Sequence, residues 1–337
     1  MKGLGAAISA ISYYLPPKVV DNKLLVEEFG TWTEDKIYQK TGIRERHVVD
    51  GELVSDLAVR AAEKLFEEHG IDRETIDFLL LCTESPDYYL PATACVVQDR
   101  LGLKKTIGAL DYNLGCSGFI YGLALSKGLI AAGIASRILL VTADTLSRTI
   151  NPKDKSTRTI FGDAAAAILV EGSDTARIGD FVLGTDGSGM DKLIIPAGAW
   201  AAPRSPETAA ERTNKWGNTR CAENLYMNGP EVLNFTMATV PEAVSRTLEA
   251  HSLKLEDVDI FVFHQATFLI LEHLRKEIGI PKEKVFMNME NKGNTVSATI
   301  PIALRDAADE GRLRPGDRAM AVGFGVGYSW GATIIRW

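Results

Sequence analysis

Asp111-Tyr-Asn-Leu-Gly-Cys-Ser-Gly-Phe-Ile-Tyr-Gly122 carries an apolar strand (Thr106 to Asn113) through a turn into a helix of small residues that opens near Cys116. A thiol at a helix N-terminus meets unpaired N–H groups and the positive end of the helix dipole. Both favour the thiolate and lower the pKa from its free value of about 8.5. Cys116 is thereby a candidate nucleophile; its other reading is a small buried hydrophobe, since free cysteines are among the most buried residues. Two more residues bear on the choice: His264 in Phe-Val-Phe-His-Gln-Ala-Thr, and Asn294 in Asn291-Lys-Gly-Asn-Thr-Val-Ser297. Alone, each reads equally as structure, a core histidine bonded to backbone or a turn or N-cap asparagine. Together they offer what thiolate chemistry needs, a polar partner that helps move the sulfur's proton and a donor for developing oxyanion charge.

A repeat places these residues. His69-Gly-Ile-Asp-Arg-Glu-Thr-Ile-Asp-Phe-Leu-Leu-Leu-Cys82 has a gapless counterpart in His251-Ser-Leu-Lys-Leu-Glu-Asp-Val-Asp-Ile-Phe-Val-Phe-His264. Each is a helix end, an acidic loop and a wholly apolar strand suited to burial on both faces. After Cys82 the pattern predicts a helix (Ala92 to Leu101), Gly102, the strand Thr106 to Asn113, the Cys116 helix and a strand (Arg137 to Ala143). After His264 it predicts a helix (Phe268 to Ile278), Gly279, a strand (Lys284 to Met289), a helix from about Ser297 and strands over Arg318 to Phe324 and Gly331 to Trp337. Ahead of the repeat, Gly3 to Leu15 reads as a strand, Asn22 to Gly30 and Glu34 to Thr41 as short helices, and Ser55 to His69 as an amphipathic helix capped by Gly70. We read an internal duplication with halves 1–174 and 175–337. Alternating βαβα units predict an α/β fold of two mainly parallel sheets, with helices between and outside them and the active loops at the strands' carboxyl ends. In this register Cys82 falls opposite His264, and Cys116 opposite Asn294 with one gap.

Composition narrows the function. The 337 residues, 46% of them hydrophobic, suffice for two domains or one large doubled domain. Cys82, Cys95, Cys116 and Cys221 have no spacing suited to zinc, and with no signal peptide they read as free thiols of a reducing cytoplasm. No apolar run approaches the ~18 residues of a membrane span. A net charge of −7 argues against general nucleic-acid binding.

Several motifs, in order along the chain, together resemble the β-ketoacyl-acyl carrier protein synthase III family. They are Thr41-Gly-Ile-Arg-Glu-Arg46, Asn113-Leu-Gly-Cys116-Ser-Gly-Phe, Phe161-Gly-Asp163, Phe263-His264-Gln-Ala, Gly293-Asn294-Thr-Val-Ser-Ala-Thr-Ile-Pro301 and Gly323-Phe-Gly-Val-Gly-Tyr-Ser-Trp330. The resemblance implies a thiolase fold in α-β-α-β-α layers, a homodimer and no permanently bound cofactor. It implies Cys116 as acyl acceptor, with coenzyme A or phosphopantetheine thioesters as substrates and acyl carrier protein as partner. His264, through Nε2–H, and the Asn294 amide would stabilise the enolate left by malonyl decarboxylation. The backbone N–H groups of Cys116 and Val326 would form the hole for the acyl oxygen. The substrate path would run past Lys36, Thr41, Leu90, Lys155, Phe161, Leu225, Gly229 and Thr267.

Departures from the family pattern gather on that path. Lys36 stands where the family has the Trp that stacks on adenine, Lys155 replaces an Arg, Pro230 and Thr267 replace Asn, and Leu269 replaces a carrier-contacting Arg. Val326 interrupts a usual glycine triplet and narrows the pocket. The acyl donor is left open. Residues 198–222 form a polar excursion read either as a surface loop or as a cover for the entrance. Candidate carrier-docking charges are Lys40, Arg275 and Lys276, with Lys282 and Lys284 beyond; the other reading is a solvated face, given the interleaved Glu272, Glu277 and Glu283. The expected function is decarboxylative condensation of an acyl thioester with malonyl-acyl carrier protein. Alternatives are transfer of the acyl group from Cys116 to an alcohol or amine, and a non-catalytic partner subunit, against which the intact Cys116, His264 and Asn294 count.

Overall fold

The computed structural model describes residues 5–337, so Gly3 and Leu4 of the first expected strand lie outside the described residues. Strand β1 (Gly5–Tyr14) leads to a small antiparallel pair, β2 (Lys18–Asp21) and β3 (Glu45–Val48), which brackets helices α1 (Asn22–Phe29) and α2 (Glu34–Thr41). Next come α3 (Val54–His69), β4 (Phe78–Cys82), α4 (Thr93–Arg100), β5 (Gly108–Tyr112), α5 (Gly118–Ala131), β6 (Arg137–Asp144), α6 (Lys155–Arg158) and β7 (Ala164–Ser173). The remainder begins with β8 (Ile178–Thr185) and four two-residue strands: β9 (Leu193–Ile194), β10 (Arg212–Thr213), β11 (Thr219–Arg220) and β12 (Tyr226–Met227). It ends with α7 (Gly229–Ala250), β13 (Ile260–Phe263), α8 (Phe268–Ile278), α9 (Thr299–Asp309), β14 (Arg318–Gly325) and β15 (Ser329–Arg336).

Two sheets carry the fold, ordered β1-β7-β6-β4-β5 and β13-β14-β15-β8. Helices α5 and α9 pack between them, α3 and α4 cover the outer face of the first, and α7 and α8 cover the outer face of the second. The period of two decides which core each residue joins. On β4, Leu80 faces the central helices while Leu79 and Leu81 face α3 and α4. On β13, Ile260 and Val262 point inward while Phe261 and Phe263 point to α7 and α8. Helix α5 has apolar or small residues on nearly every face, as a helix enclosed by two sheets requires.

The two apolar strands are seated by the same device. Asp77, just before β4, accepts hydrogen bonds from Ser136 N and Arg137 N at 2.9 and 3.0 Å, pinning the start of β6. Asp259, just before β13, accepts from Arg318 N at 2.8 Å and pins the start of β14.

Two expectations are corrected. The sheets are mixed rather than mainly parallel: β4 is parallel to β5 and β6, and β13 to β14, but β1–β7, β6–β7, β14–β15 and β15–β8 are antiparallel. The cause at β14–β15 is chain length, because the turn 326–328 is far too short for a parallel crossover. The expected strand from Lys284 to Met289 is also absent. One ladder bond forms, Phe286 N to Phe261 O at 3.1 Å. The Gln265 side chain then takes over, donating to Phe286 O at 3.3 Å and accepting from Asn288 N at 3.0 Å.

Removing either clamp leaves backbone donors without their partner. Asp77→Ala and Asp259→Ala are each expected to lower stability by about 0.5–1.5 kcal/mol in urea unfolding; unchanged midpoints would show that water replaces the carboxylate without loss.

Candidate active site

Cys116 lies in the turn after β5, two residues before α5, and is buried. The end of β14 is pressed against it. A Cβ on Gly325 would lie 2.8 Å from the Cys116 sulfur, and one on Gly323 would lie 2.9 Å from the Cys116 carbonyl oxygen, so both positions require glycine. This approach brings the Val326 N–H near Sγ, where it and the N–H of Cys116 itself favour the thiolate. Ser329 Oγ holds the turn from behind, donating to Val326 O at 2.8 Å and lying 2.7 Å from Ser117 Oγ.

His264 follows β13, and its N–H bonds Val322 O of β14 at 2.8 Å. Asn294 sits in the loop before α9; its backbone brackets Phe161, donating to Ile160 O at 2.9 Å and accepting from Gly162 N at 3.0 Å. Both side chains are buried, with His264 Nε2 3.4 Å from Asn294 Nδ2. The Asn294 carbonyl accepts from Val296 N at 2.9 Å, which orients its NH₂ toward His264. Thr299 Oγ1 donates to Val296 O at 3.0 Å and lies 2.8 Å from His264 Nδ1. Its proton already used, Thr299 accepts from Nδ1–H, so Nε2 is left bare. This departs from the expected Nε2–H donor. Burial lowers the His264 pKa to about 3, so the ring is neutral and its free Nε2 is a base.

The thiol departs from expectation too. Burial raises its pKa first, Glu84 and Asp144 add to that, and the N–H groups of Val326 and Cys116 pull only partly back. The helix-start argument omitted this desolvation and the two acids. Asp144, at the end of β6, accepts from Glu84 N at 2.8 Å and from Ser297 Oγ at 2.5 Å, and burial pushes its pKa up to about 7. Glu84 is raised to about 8 by burial, then by Asp144. Glu84, in the cavity wall, and Thr299, against His264, are the site residues the sequence reading missed. The signal for Glu84 was its position two residues beyond β4, in the register that singled out His264.

Cys116, Phe161, Leu225 and Val326 line a cavity of about 140 Å³, together with Glu84, Leu146, Leu193 and Val296. His264 and Asn294 stand next to that wall, held through Phe161 and Val296. The entrance residues form a second group. Lys36 and Lys40 both lie over the Trp32 ring, at 5.2 and 5.0 Å, and Lys155 Nζ reaches Thr31 Oγ1 at 3.3 Å. Thr41 closes α2, where Gly42 is left-handed (φ 73°) and touches Phe268 of α8, whose N-cap is Thr267. Gly229 opens α7. Leu90 is 83% exposed and belongs to neither group within one chain.

Residues 198–222 contain the β10–β11 hairpin. It is tied beside Lys155 by Arg220 to the fully buried Asp154 (3.2 Å), Lys153 to Glu211 (2.8 Å) and Thr219 N to Lys153 O (3.4 Å). Arg275 is already paired: it grips Glu272 at 3.0 and 3.1 Å and donates to Ile280 O at 3.0 Å. Lys284 caps Glu256 O and Val258 O at 2.8 and 2.7 Å. Lys40 and Lys276 are exposed. Among the described residues no cluster of His, Cys, Asp and Glu is arranged to hold a metal, and no helix is long and apolar enough to cross a membrane.

The charges around the sulfur set its pH response. Alkylation of Cys116 by iodoacetamide, followed by peptide mass, should rise only in the alkaline range. Ionised Glu84 repels the thiolate, so Glu84→Gln should react faster than wild type above pH of about 8 and equally below it. Superimposable profiles would remove Glu84 from the sulfur's field.

With that geometry in hand, known proteins give a concordant result. The model for the 3-oxoacyl-[acyl-carrier-protein (ACP)] synthase III C terminal matches residues 248–337, and that for 3-oxoacyl-[acyl-carrier-protein (ACP)] synthase III matches residues 110–187. A β-ketoacyl-[acyl-carrier-protein] synthase III from Solibacter usitatus is 38% identical over 98% of both chains. A crystal structure of a 3-oxoacyl-(acyl-carrier-protein) synthase III is 46% identical, with a TM-score of 0.97 over 99% of this chain and 100% of that one. The Thermus thermophilus β-ketoacyl-[acyl-carrier-protein] synthase III structure is 37% identical, with a TM-score of 0.87 over 98% and 99%. The two mixed sheets, the paired central helices and the Cys116 turn are thus the thiolase fold of this group, and the chain belongs to the β-ketoacyl-acyl carrier protein synthase III family.

Proposed function

We propose that this protein joins an acyl thioester to malonyl-acyl carrier protein, with loss of carbon dioxide, to give a β-ketoacyl thioester. The observation that carries the reading is a buried thiol in the wall of a mostly apolar cavity, with the backbone at the end of β14 packed against its sulfur. In the first half-reaction the bare His264 Nε2 takes the Cys116 proton and Sγ attacks the thioester carbonyl. The oxyanion lies against the N–H groups of Cys116 and Val326, and the leaving thiolate recovers the proton from His264. In the second, the malonyl carbon–carboxylate bond breaks and its electron pair becomes an enolate. Asn294 Nδ2–H stabilises the enolate oxygen. His264 joins as a donor once the Thr299 hydroxyl turns to Nδ1 and the ring proton moves to Nε2. The enolate carbon attacks the acyl carbonyl, and Cys116 leaves as a thiolate and regains a proton from solvent.

Coenzyme A or phosphopantetheine thioesters serve as substrates, with no resident cofactor. We assign this chemistry to two duplicated halves, 1–174 with the nucleophile Cys116 and 175–337 with His264 and Asn294; the matched clamps at Asp77 and Asp259 support the duplication. A homodimer is supported by the unpaired edge of β5, where Leu110 is exposed, and by the exposed Tyr88, Tyr89 and Leu90 in the loop beyond β4. Leu90 then belongs to the substrate path only in the dimer. Free Cys82, Cys95, Cys116 and Cys221 fit the cytoplasm.

Incubation with a suitable acyl thioester should add the acyl mass to wild type and nothing to Cys116→Ala; labelling that maps to Cys82, Cys95 or Cys221 would overturn the assignment. Asn294→Ala should still self-acylate while carbon dioxide release falls roughly 10²–10³-fold, and His264→Ala should lose both steps. Transfer of the acyl group to an alcohol or amine without carbon dioxide release would favour the acyltransferase alternative.

The carrier partner is acidic and this chain is net acidic, so docking needs a local basic patch. Lys36 and Lys40 at the entrance, with the exposed Lys276, supply it, since Arg275 is held by Glu272. Lys40→Glu with Lys276→Glu should raise the apparent KM for malonyl-carrier protein in a salt-sensitive way and spare acylation by a small thioester. Unchanged kinetics at low salt would move the docking surface elsewhere.

A further inference from the structure

Glu84 is a half-buried acid that the condensation steps leave unused. It lines the Cys116 cavity, whose other walls, Asn113 and the thiol apart, are apolar: Leu146, Phe161, Leu193, Leu225, Val296 and Val326 among them. Its backbone is fixed by the Asp144 carboxylate at 2.8 Å, whereas its own carboxyl has no hydrogen-bond partner among the described residues. The carboxyl lies over Gly115, the residue before the nucleophile. A Cβ on Gly115 would fall 2.3 Å from Glu84 Oε2 and 2.9 Å from Val326 Cγ1, so the acid and the valine meet across the space that glycine leaves. The cavity, about 140 Å³, is small beside the ~300–1,000 Å³ of common ligand pockets. Only a short acyl chain fits there.

A plain hydrocarbon chain would remove water from this carboxyl and return no hydrogen bond, which is unfavourable in an apolar cavity. We propose that Glu84 selects the acyl group, favouring a short chain with a hydroxyl on its third or fourth carbon that hydrogen-bonds the Glu84 carboxyl while the thioester carbonyl reacts at Cys116. The proposal rests on the acyl-Cys116 reading above. Burial and Asp144 hold Glu84 largely protonated at neutral pH, its value being about 8. A neutral carboxylic acid both donates and accepts, which matches a hydroxyl; an ammonium would call for the ionised form.

The test measures initial rates of Cys116 acylation by intact mass at neutral pH, with butyryl, 3-hydroxybutyryl, 4-hydroxybutyryl, 4-aminobutyryl and succinyl thioesters of coenzyme A. One of the hydroxybutyryl thioesters should exceed butyryl by roughly tenfold or more in kcat/KM, since a site built to hydrogen-bond a hydroxyl rejects the analogue lacking it. Glu84→Leu should bring that ratio to about one or below while still accepting butyryl, which reports that the variant is folded. Glu84→Gln, which keeps a donor and an acceptor, should retain the preference. A wild type that takes butyryl as fast as both hydroxy compounds, or prefers the amino or succinyl group, overturns the proposal without any variant. So does a ratio that survives Glu84→Leu. Failure of every thioester to label Cys116 would instead remove the condensing-enzyme reading on which the proposal stands.

Discussion

The contact between the end of β14 and the Cys116 turn is the constraint on which the site depends. With Gly323 and Gly325 there, backbone from the second sheet reaches van der Waals distance of a loop leaving the first. A side chain at either position would push the two apart. Because Val326 is the next residue, the same approach that packs the sheets also aims its N–H at the sulfur. Gly331 repeats the theme on β15, where a Cβ would meet Ile120 of α5 at 2.8 Å. Close packing of sheet on helix and positioning of a donor on the nucleophile are therefore one arrangement.

Buried polar groups extend that arrangement sideways. Asp144 links the end of β6 to the Glu84 loop and to Ser297 in the approach to α9. Arg46, from the Thr41-Gly-Ile-Arg-Glu-Arg46 motif, donates to Val20 O, Asn22 Oδ1 and Thr159 O at 2.9 to 3.0 Å. Burial lowers its pKa to about 10, so it stays charged and ties the β2–β3 unit to the Phe161 loop. Asp163 does the same for Val49 N and Ser147 N at 2.8 and 2.9 Å. Removing one member of such a network would strand its partners in a region of low dielectric.

The site joins a thiol that burial keeps protonated to an imidazole that burial keeps neutral. Burial that makes the cavity apolar enough for an acyl chain also raises the thiol and neutralises His264. A resting thiol and a neutral imidazole in one site suit a reaction in which the proton must travel from the nucleophile to the leaving group. It also leaves the Glu84 carboxyl, which faces the cavity, with no part in proton transfer and with substrate choice as the remaining use of its position.

How much of this was written in the sequence depends on the range of the interactions. The apolar, doubly buried character of Phe78–Cys82 and Ile260–Phe263, the duplicated register and the Cys116, His264 and Asn294 positions were legible because each depends on nearby residues and on spacing along the chain. The helix-start argument found the nucleophile but misjudged its ionisation, since desolvation and the charges of Glu84 and Asp144 arise only when loops from three strands meet. The tautomer of His264 was likewise undetermined, because it depends on where Thr299, 35 residues away, sends its proton. Arg275 read either as a docking charge or as part of a mixed-charge face until folding placed it against Glu272 and Ile280. The stretch from Lys284 to Met289 looked like a strand because its apolar pattern is right, but a strand needs a neighbour's backbone, and there the Gln265 side chain takes that place. Sequence alone determined which residues could do the chemistry and on which strand ends they fall; tertiary structure decided their protonation, their partners and the shape of the cavity, because those depend on burial and on contacts between distant segments.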